Sequence, residues 1–118
     1  DETTCRGIHK FFDHGVETPF EFNSADDIMD YQDSCMEDRG SDGSKAFFGI
    51  NHFTKLPSSR KAEQLGTTDQ LHSRIDNCSA QNRDRPISFV YVDFWTRGNL
   101  PQVTQERNIQ ISRRRNTM

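Results

Sequence analysis

Residues 87–92 read ISFVYV and lead directly into the triplet DFW at 93–95. β-Branched and aromatic residues dominate this run, as they do in strands. A second apolar run, AFFGI at 46–50, ends at the pair Asn-His at 51–52. Near-continuous apolar runs, rather than strict alternation, are typical of strands in buried parallel sheets. We therefore predict two parallel strands, each of which ends in polar residues.

The segment between these two runs predicts a helix. Thr67 is positioned to cap its start, and Gln70 occupies the reciprocal position of a capping box. Leu71, Ile75 and Cys78 recur at intervals of four and three residues, which places them on one helix face. Because strand, helix and strand in this order form a right-handed crossover unit, the predicted fold class is α/β.

The flanking segments are more polar. The turn sequence GNLP at 98–101 precedes a second predicted helix, which we expect to carry Val103 and Ile109 toward the core. Residues 110–118 are expected to form a solvated basic tail. Residues 54–66 are expected to form a polar loop.

Composition limits what this chain can build alone. Its 118 residues suffice for one ordinary domain. Only 24 of them are Leu, Ile, Val or Phe, close to the level of about 20% below which chains tend to be disordered. Since a small polar chain buries little surface by itself, we expect this one to be incomplete or to depend on a partner.

Charge and hydropathy exclude two classes of function. The formal net charge of -3 argues against a nucleic-acid-binding protein, which normally presents a basic surface. No apolar run approaches the roughly 20 residues that a membrane-spanning helix requires. We therefore predict neither a nucleic-acid partner nor a membrane span.

The cysteines are Cys5, Cys35 and Cys78, which lie too far apart in sequence for the paired ligands of a structural zinc site. We predict no metal or cofactor. The odd count allows one disulfide and one thiol, or a bond to another chain. Cys35 precedes the first predicted strand and Cys78 lies on the helix that follows it, so these two are the candidate pair. A pair that includes Cys5 stays open.

One feature favours a secreted product, and another a processed or truncated chain. Asn77 begins an Asn-x-Ser triplet and is a candidate glycosylation site, a pattern with meaning only in a secreted protein. The chain begins with Asp1 and Glu2, as a processed or truncated product would. The predicted location is extracellular.

Five short motifs follow one another in an order that is typical of one enzyme family. They are ETPF at 17–20, Cys35 with DRG at 38–40, INHF at 50–53, the cysteine-bearing segment 74–78, and FVYVDF at 89–94 with Gly98. Residues 11–109 thereby resemble the C-terminal part of the PLC-like phosphodiesterases, the family of the phosphatidylinositol-specific phospholipase C catalytic barrel. Five motifs in order are a stronger signal than any one of them, since short motifs recur by chance.

The resemblance implies a TIM-type β/α barrel, which needs well over 200 residues to close. Residues 1–118 would form a single partial domain, the last strands and helices of the barrel, and not a closed barrel. The implied partner is the N-terminal half of the same barrel or another protein chain, and the implied substrate is a phosphoinositide or another phosphodiester. The family's general acid and general base are histidines whose segments are missing here. His14 lies in the wrong part of the barrel to replace them, so the chain alone should be inactive.

Residues at the strand ends are the candidate site, because barrel chemistry occurs at the carboxyl ends of strands. By resemblance, Asp93 would hold the base histidine in position; the alternative is an aspartate that caps the loop toward Gly98. Asn51 and His52 would contact substrate, although His52 is better explained as a packed ring with both nitrogens satisfied. Glu17 is a third substrate-binding candidate, and a loop-stabilising role is the favoured alternative for it.

A second function belongs to a different class. The chain would be a non-catalytic structural or binding subunit that retains part of the barrel and docks on a larger partner. The missing histidines favour this alternative for the chain alone, and the odd cysteine allows a covalent partner.

Overall fold

Three short parallel strands organise the computed structural model, which describes residues 6–117. The strands are β1 (Gly15–Glu17), β2 (Phe47–Asn51) and β3 (Phe89–Tyr91), and they pair in the order β1-β2-β3. The α-helices are α1 (Phe11–His14), α2 (Ala25–Met29), α3 (Tyr31–Ser34), α4 (Ser59–Leu65), α5 (Thr68–Gln81) and α6 (Leu100–Thr117), and a 3₁₀ turn spans Trp95–Arg97. The chain is thus a small α/β domain whose parallel sheet is open, not a closed barrel.

The two faces of the sheet differ. Phe48 and Ile50 are fully buried against α5 and α6, where Val103 also lies in the core. On the opposite face Phe47 and Phe89 remain 46% and 43% exposed. This difference follows from the alternation of side chains along a strand, and it leaves an aromatic face without a covering layer in the described part of the chain.

The two edges of the sheet also differ. The backbone N–H of Glu17 donates to the Arg39 carbonyl at 3.1 Å, and the N–H of Asp38 donates to the Glu17 carbonyl at 2.7 Å. The loop 38–40 therefore covers the outer edge of β1. Gly40 has φ +85°, and a Cβ there would collide with the Gly15 carbonyl, so the close approach of this loop requires glycine. β3 pairs with β2 alone among the described strands.

The predicted strands and the central helix are confirmed. Thr67 caps α5 by accepting a hydrogen bond from the Gln70 N–H at 3.3 Å, and Leu71, Ile75 and Cys78 are buried. The strand β1 was not predicted, because three residues are too few to show periodicity. It is buried nevertheless, since Val16 lies beside Phe48 in the sheet.

Two expectations for the polar segments are corrected. Residues 54–66 are not all loop, because α4 lies within them and Ser58 caps it by accepting from the Lys61 N–H at 3.2 Å. Ile109 is 43% exposed on α6 rather than directed to the core, whereas Val103 is buried as expected. The basic residues 113–115 continue the last turns of α6. None of the described helices has the length and apolar character needed to span a bilayer.

A disulfide joins Cys35, which ends α3, to Cys78 on α5, with the two Cα atoms 4.8 Å apart. The candidate pair is thereby confirmed. Cys5 lies outside the described residues. Both half-cystines are fully buried and belong to the main core.

Replacing Cys35 and Cys78 together by Ser should lower the free energy of unfolding. The bond links residues 43 apart in sequence, and in the chain-entropy model closing such a loop is worth about 4 kcal/mol. Urea unfolding followed by circular dichroism measures the loss. Equal midpoints for the double variant and the wild type would contradict the prediction.

Candidate functional site

The carboxyl ends of β1, β2 and β3 meet at one edge of the sheet because the strands are parallel. Glu17 is the last residue of β1, Asn51 is the last residue of β2, and Asp93 follows β3 by two residues. The structure therefore brings the sequence-predicted candidates to the same edge. Their individual contacts decide what each can do.

The carboxylate of Glu17 is engaged by the loop that covers β1. Glu17 is 5% exposed, and its Oε1 pairs with the Arg39 guanidinium. The Arg39 guanidinium also stacks on Phe20, 4.2 Å from the ring centroid. Together with burial, the Glu17 charge raises the pKa of Tyr91, which lies on the open face of β3. These contacts favour a loop-stabilising role for Glu17.

Asn51 joins β2 to the end of β1. Its backbone N–H donates to Thr18 Oγ1 at 2.9 Å, and its side-chain Nδ2 donates to the Thr18 carbonyl at 3.0 Å. Both residues are buried. The amide thus holds neighbouring strand ends together.

Both ring nitrogens of His52 are occupied by protein groups. Nε2 lies 2.7 Å from the Leu65 carbonyl, and Nδ1 lies 3.1 Å from Nη1 of Arg74. Because the carbonyl can only accept and the guanidinium can only donate, Nε2 carries the proton and Nδ1 accepts. Burial lowers the pKa of His52 to about 4, and the Arg74 charge acts in the same direction. His52 is therefore neutral at pH 7, and its geometry is that of a packed structural histidine.

Arg74 is the residue that sequence reasoning missed. It is fully buried and donates at 2.7 Å both to the Asn51 carbonyl and to the Ser34 carbonyl. No carboxylate is paired with it among residues 6–117, and burial lowers the pKa of Arg74 to about 10. The available signal was its position: a charged residue between Leu71 and Ile75 occupies the apolar face of a helix.

Asp93 is partly exposed and lines a crevice beyond the ends of β2 and β3. The crevice opens to solvent, and the space within it, with open solvent included, is about 370 Å³; His52, Lys61, Phe94 and Trp95 are among the residues that line it. Within the described chain, the Asp93 carboxylate has neither a hydrogen bond nor an ion pair. It is the one strand-end candidate left available for a ligand or for a histidine from elsewhere.

The remaining candidates lie apart from this edge. Asn77 is exposed on α5, and its Nδ2 donates to the Ser73 carbonyl at 2.7 Å. The residues described contain no group of three or more His, Cys, Asp or Glu side chains suited to a metal ion. No protein-family model, curated protein or solved structure matches this chain.

Replacing His52 by Gln should reduce the pH dependence of stability. Only unfolded His52 takes up a proton between its usual pKa of 6.5 and about 4. Stability from this group is therefore complete above pH 6.5 and is lost as pH falls through that window, by up to about 3 kcal/mol. Urea unfolding at several pH values measures the slope. An unchanged slope for His52→Gln would contradict the assignment.

Replacing Arg74 by Met should destabilise the fold by about 3–5 kcal/mol, because two buried carbonyls and His52 Nδ1 lose their donor. Chemical unfolding monitored by circular dichroism gives the difference. The exposed Arg60 of α4 provides the matched control, Arg60→Met, which should stay within about 0.5 kcal/mol of wild type. A similar small change for Arg74→Met would show that these contacts contribute little.

Proposed function

We propose that this chain is the C-terminal sector of a phosphodiesterase barrel of the phosphatidylinositol phospholipase C type. The observation that carries the proposal is the sheet order. Strands that follow one another in sequence are neighbours and parallel, and α5 and α6 pack on the same face. Barrels keep sequential order with helices outside, and one half of a doubly wound sheet shares this order up to its switch point. The arrangement supports a barrel sector.

In this proposal the chain supplies part of the catalytic rim but no acid or base. A neighbouring hydroxyl of the substrate attacks phosphorus while a histidine from the N-terminal half takes its proton. The bond from phosphorus to the diacylglycerol oxygen breaks, a second histidine protonates that oxygen, and a cyclic phosphate forms. Asp93, whose carboxylate has no partner in the described residues, would orient the first histidine and stabilise its charged form.

We also propose an extracellular location. Its support is the Cys35–Cys78 bond, because structural disulfides persist mainly in oxidising compartments.

The chain alone should release no cyclic inositol phosphate from phosphatidylinositol, since general acid and general base catalysis each contribute roughly 10²–10⁴-fold. In the native protein that contains this chain, Asp93→Asn should lower kcat by roughly 10²–10⁴-fold with little change in KM. The matched control is Asp33→Asn, an exposed aspartate of α3. Turnover by the isolated chain, or an Asp93→Asn variant with normal kcat, would overturn the proposal.

A second candidate is a non-catalytic subunit that docks on a larger partner. The observation in its favour is the outer edge of β1, which the loop 38–40 already occupies, so a preceding barrel strand has no free edge there. The exposed aromatic face offers a docking surface instead. A native protein that lacks turnover and co-purifies with another chain would favour this function.

A further inference from the structure

The crevice at the ends of β2 and β3 has aromatic walls. Phe53 and the pair Phe94 and Trp95 line it, together with aliphatic residues of α4 and α6. Two further lining residues, Gly66 and Gly98, touch through their backbones: a Cβ on Gly98 would lie 2.9 Å from the Gly66 Cα. A larger residue at either position would displace the segments that form the crevice.

The aromatic residues after Asp93 are held in an unusual arrangement. Phe94 has φ 47° in the left-handed region, which is costly for a bulky residue and is concentrated at functional sites. Phe94 is 48% and Trp95 63% exposed. The turn is closed by the Arg97 N–H, which donates to the Phe94 carbonyl at 2.8 Å. Two large aromatic rings thus remain in solvent beside a partly apolar crevice.

The charged and titratable side chains around the crevice differ in whether a protein group already contacts them. Lys61 also lines the crevice and brings a positive charge, since its Nζ donates at 3.1 Å to the Leu56 carbonyl, a neutral acceptor. Arg97, on the same 3₁₀ turn as Trp95, is paired with Glu63 at 2.9 Å. His52 has both ring nitrogens engaged. The Asp93 carboxylate is left without a partner in the described residues, so it gives the crevice an available negative charge.

We propose that this crevice binds an organic ammonium cation of the quaternary type, with the cation between the Phe94 and Trp95 rings and the Asp93 carboxylate. Aromatic faces attract cations through their negative quadrupole, and aromatic cages are a known means of binding methylated ammonium groups. A carboxylate without a partner adds Coulomb attraction at little desolvation cost because the site is partly open. An inorganic cation would instead require several oxygen ligands. The site does not rest on phosphodiester hydrolysis, although in the complete barrel proposed above the base histidine would share the Asp93 carboxylate.

Choline is the probe, because Trp95 is the single tryptophan of the chain and reports binding directly. Titration should change Trp95 fluorescence in a saturable manner, with Kd on the order of 1 mM. The uncharged isostere, in which a tert-butyl group replaces trimethylammonium, should bind about tenfold more weakly or not at all. Equal binding of the two compounds, or no saturable signal with choline, would overturn the proposal.

Two crevice variants test the contributions of the Asp93 charge and the Trp95 ring separately. Asp93→Asn should weaken choline binding by about tenfold, whereas Asp33→Asn should leave it unchanged. Calorimetry of Trp95→Leu should show a comparable loss without reliance on fluorescence. Circular dichroism establishes that each variant is folded. Wild-type affinity in either crevice variant would contradict the assignment, and the comparison of choline with its isostere tests it even if a variant does not fold.

The cation could be free in solution or part of a lipid headgroup, and vesicles distinguish the two sources. If choline binds and phosphatidylcholine vesicles also shift Trp95 emission, the headgroup is accessible to the crevice; if only choline binds, the ligand is a soluble cation. Both outcomes support the proposal. Response to phosphatidylglycerol vesicles in the absence of choline binding would overturn it, because the exposed rings would then be acting through adsorption alone. None of these outcomes depends on catalytic turnover.

Discussion

The buried guanidinium of Arg74 joins elements that are distant in sequence. It bonds to the last residue of β2, to the end of α3 and to the ring of His52, while its own helix carries one half of the disulfide. Carbonyl dipoles rather than a carboxylate surround the charge in the described structure. A buried ion without a counter-ion depends on the hydrogen bonds that it makes. The Nε of Arg74 has no partner in the described residues, so the bonds from its Nη1 and Nη2 stabilise the charge and constrain the relative positions of β2, α3 and α5.

This constraint extends to the candidate site. Arg74 selects the tautomer of His52, and Nε2–H of His52 then binds the carbonyl that ends α4. The crevice wall formed by α4 is therefore connected to the core through one imidazole. The contacts of His52 are those of the packed ring that the sequence favoured, so Asp93 is the strand-end candidate left for chemistry.

The elements that could be predicted from the sequence are those with local signals. β2, β3 and α5 were predictable because apolar runs, a capping threonine and regular spacing are properties of contiguous residues. β1 was not, because its three residues form a strand only through pairing with β2. α4 was hidden by polar composition, although Ser58 provides a cap. The strand-end positions of Asn51 and Asp93 followed from the apolar runs, whereas Glu17 was a candidate only through the resemblance. The contacts of Glu17 with Arg39 and of His52 with Arg74 are set by tertiary packing and could not be predicted.

The loop that covers β1 also limits self-association. An exposed strand edge is a template on which identical chains can add without end. Head-to-tail addition would require a free β1 edge on one copy and a free β3 edge on the next, and residues 38–40 already hold the backbone of Glu17. Copies that meet through their β3 edges use up both available edges at once. Edge pairing through the three described strands therefore terminates at two molecules instead of propagating into a fibre.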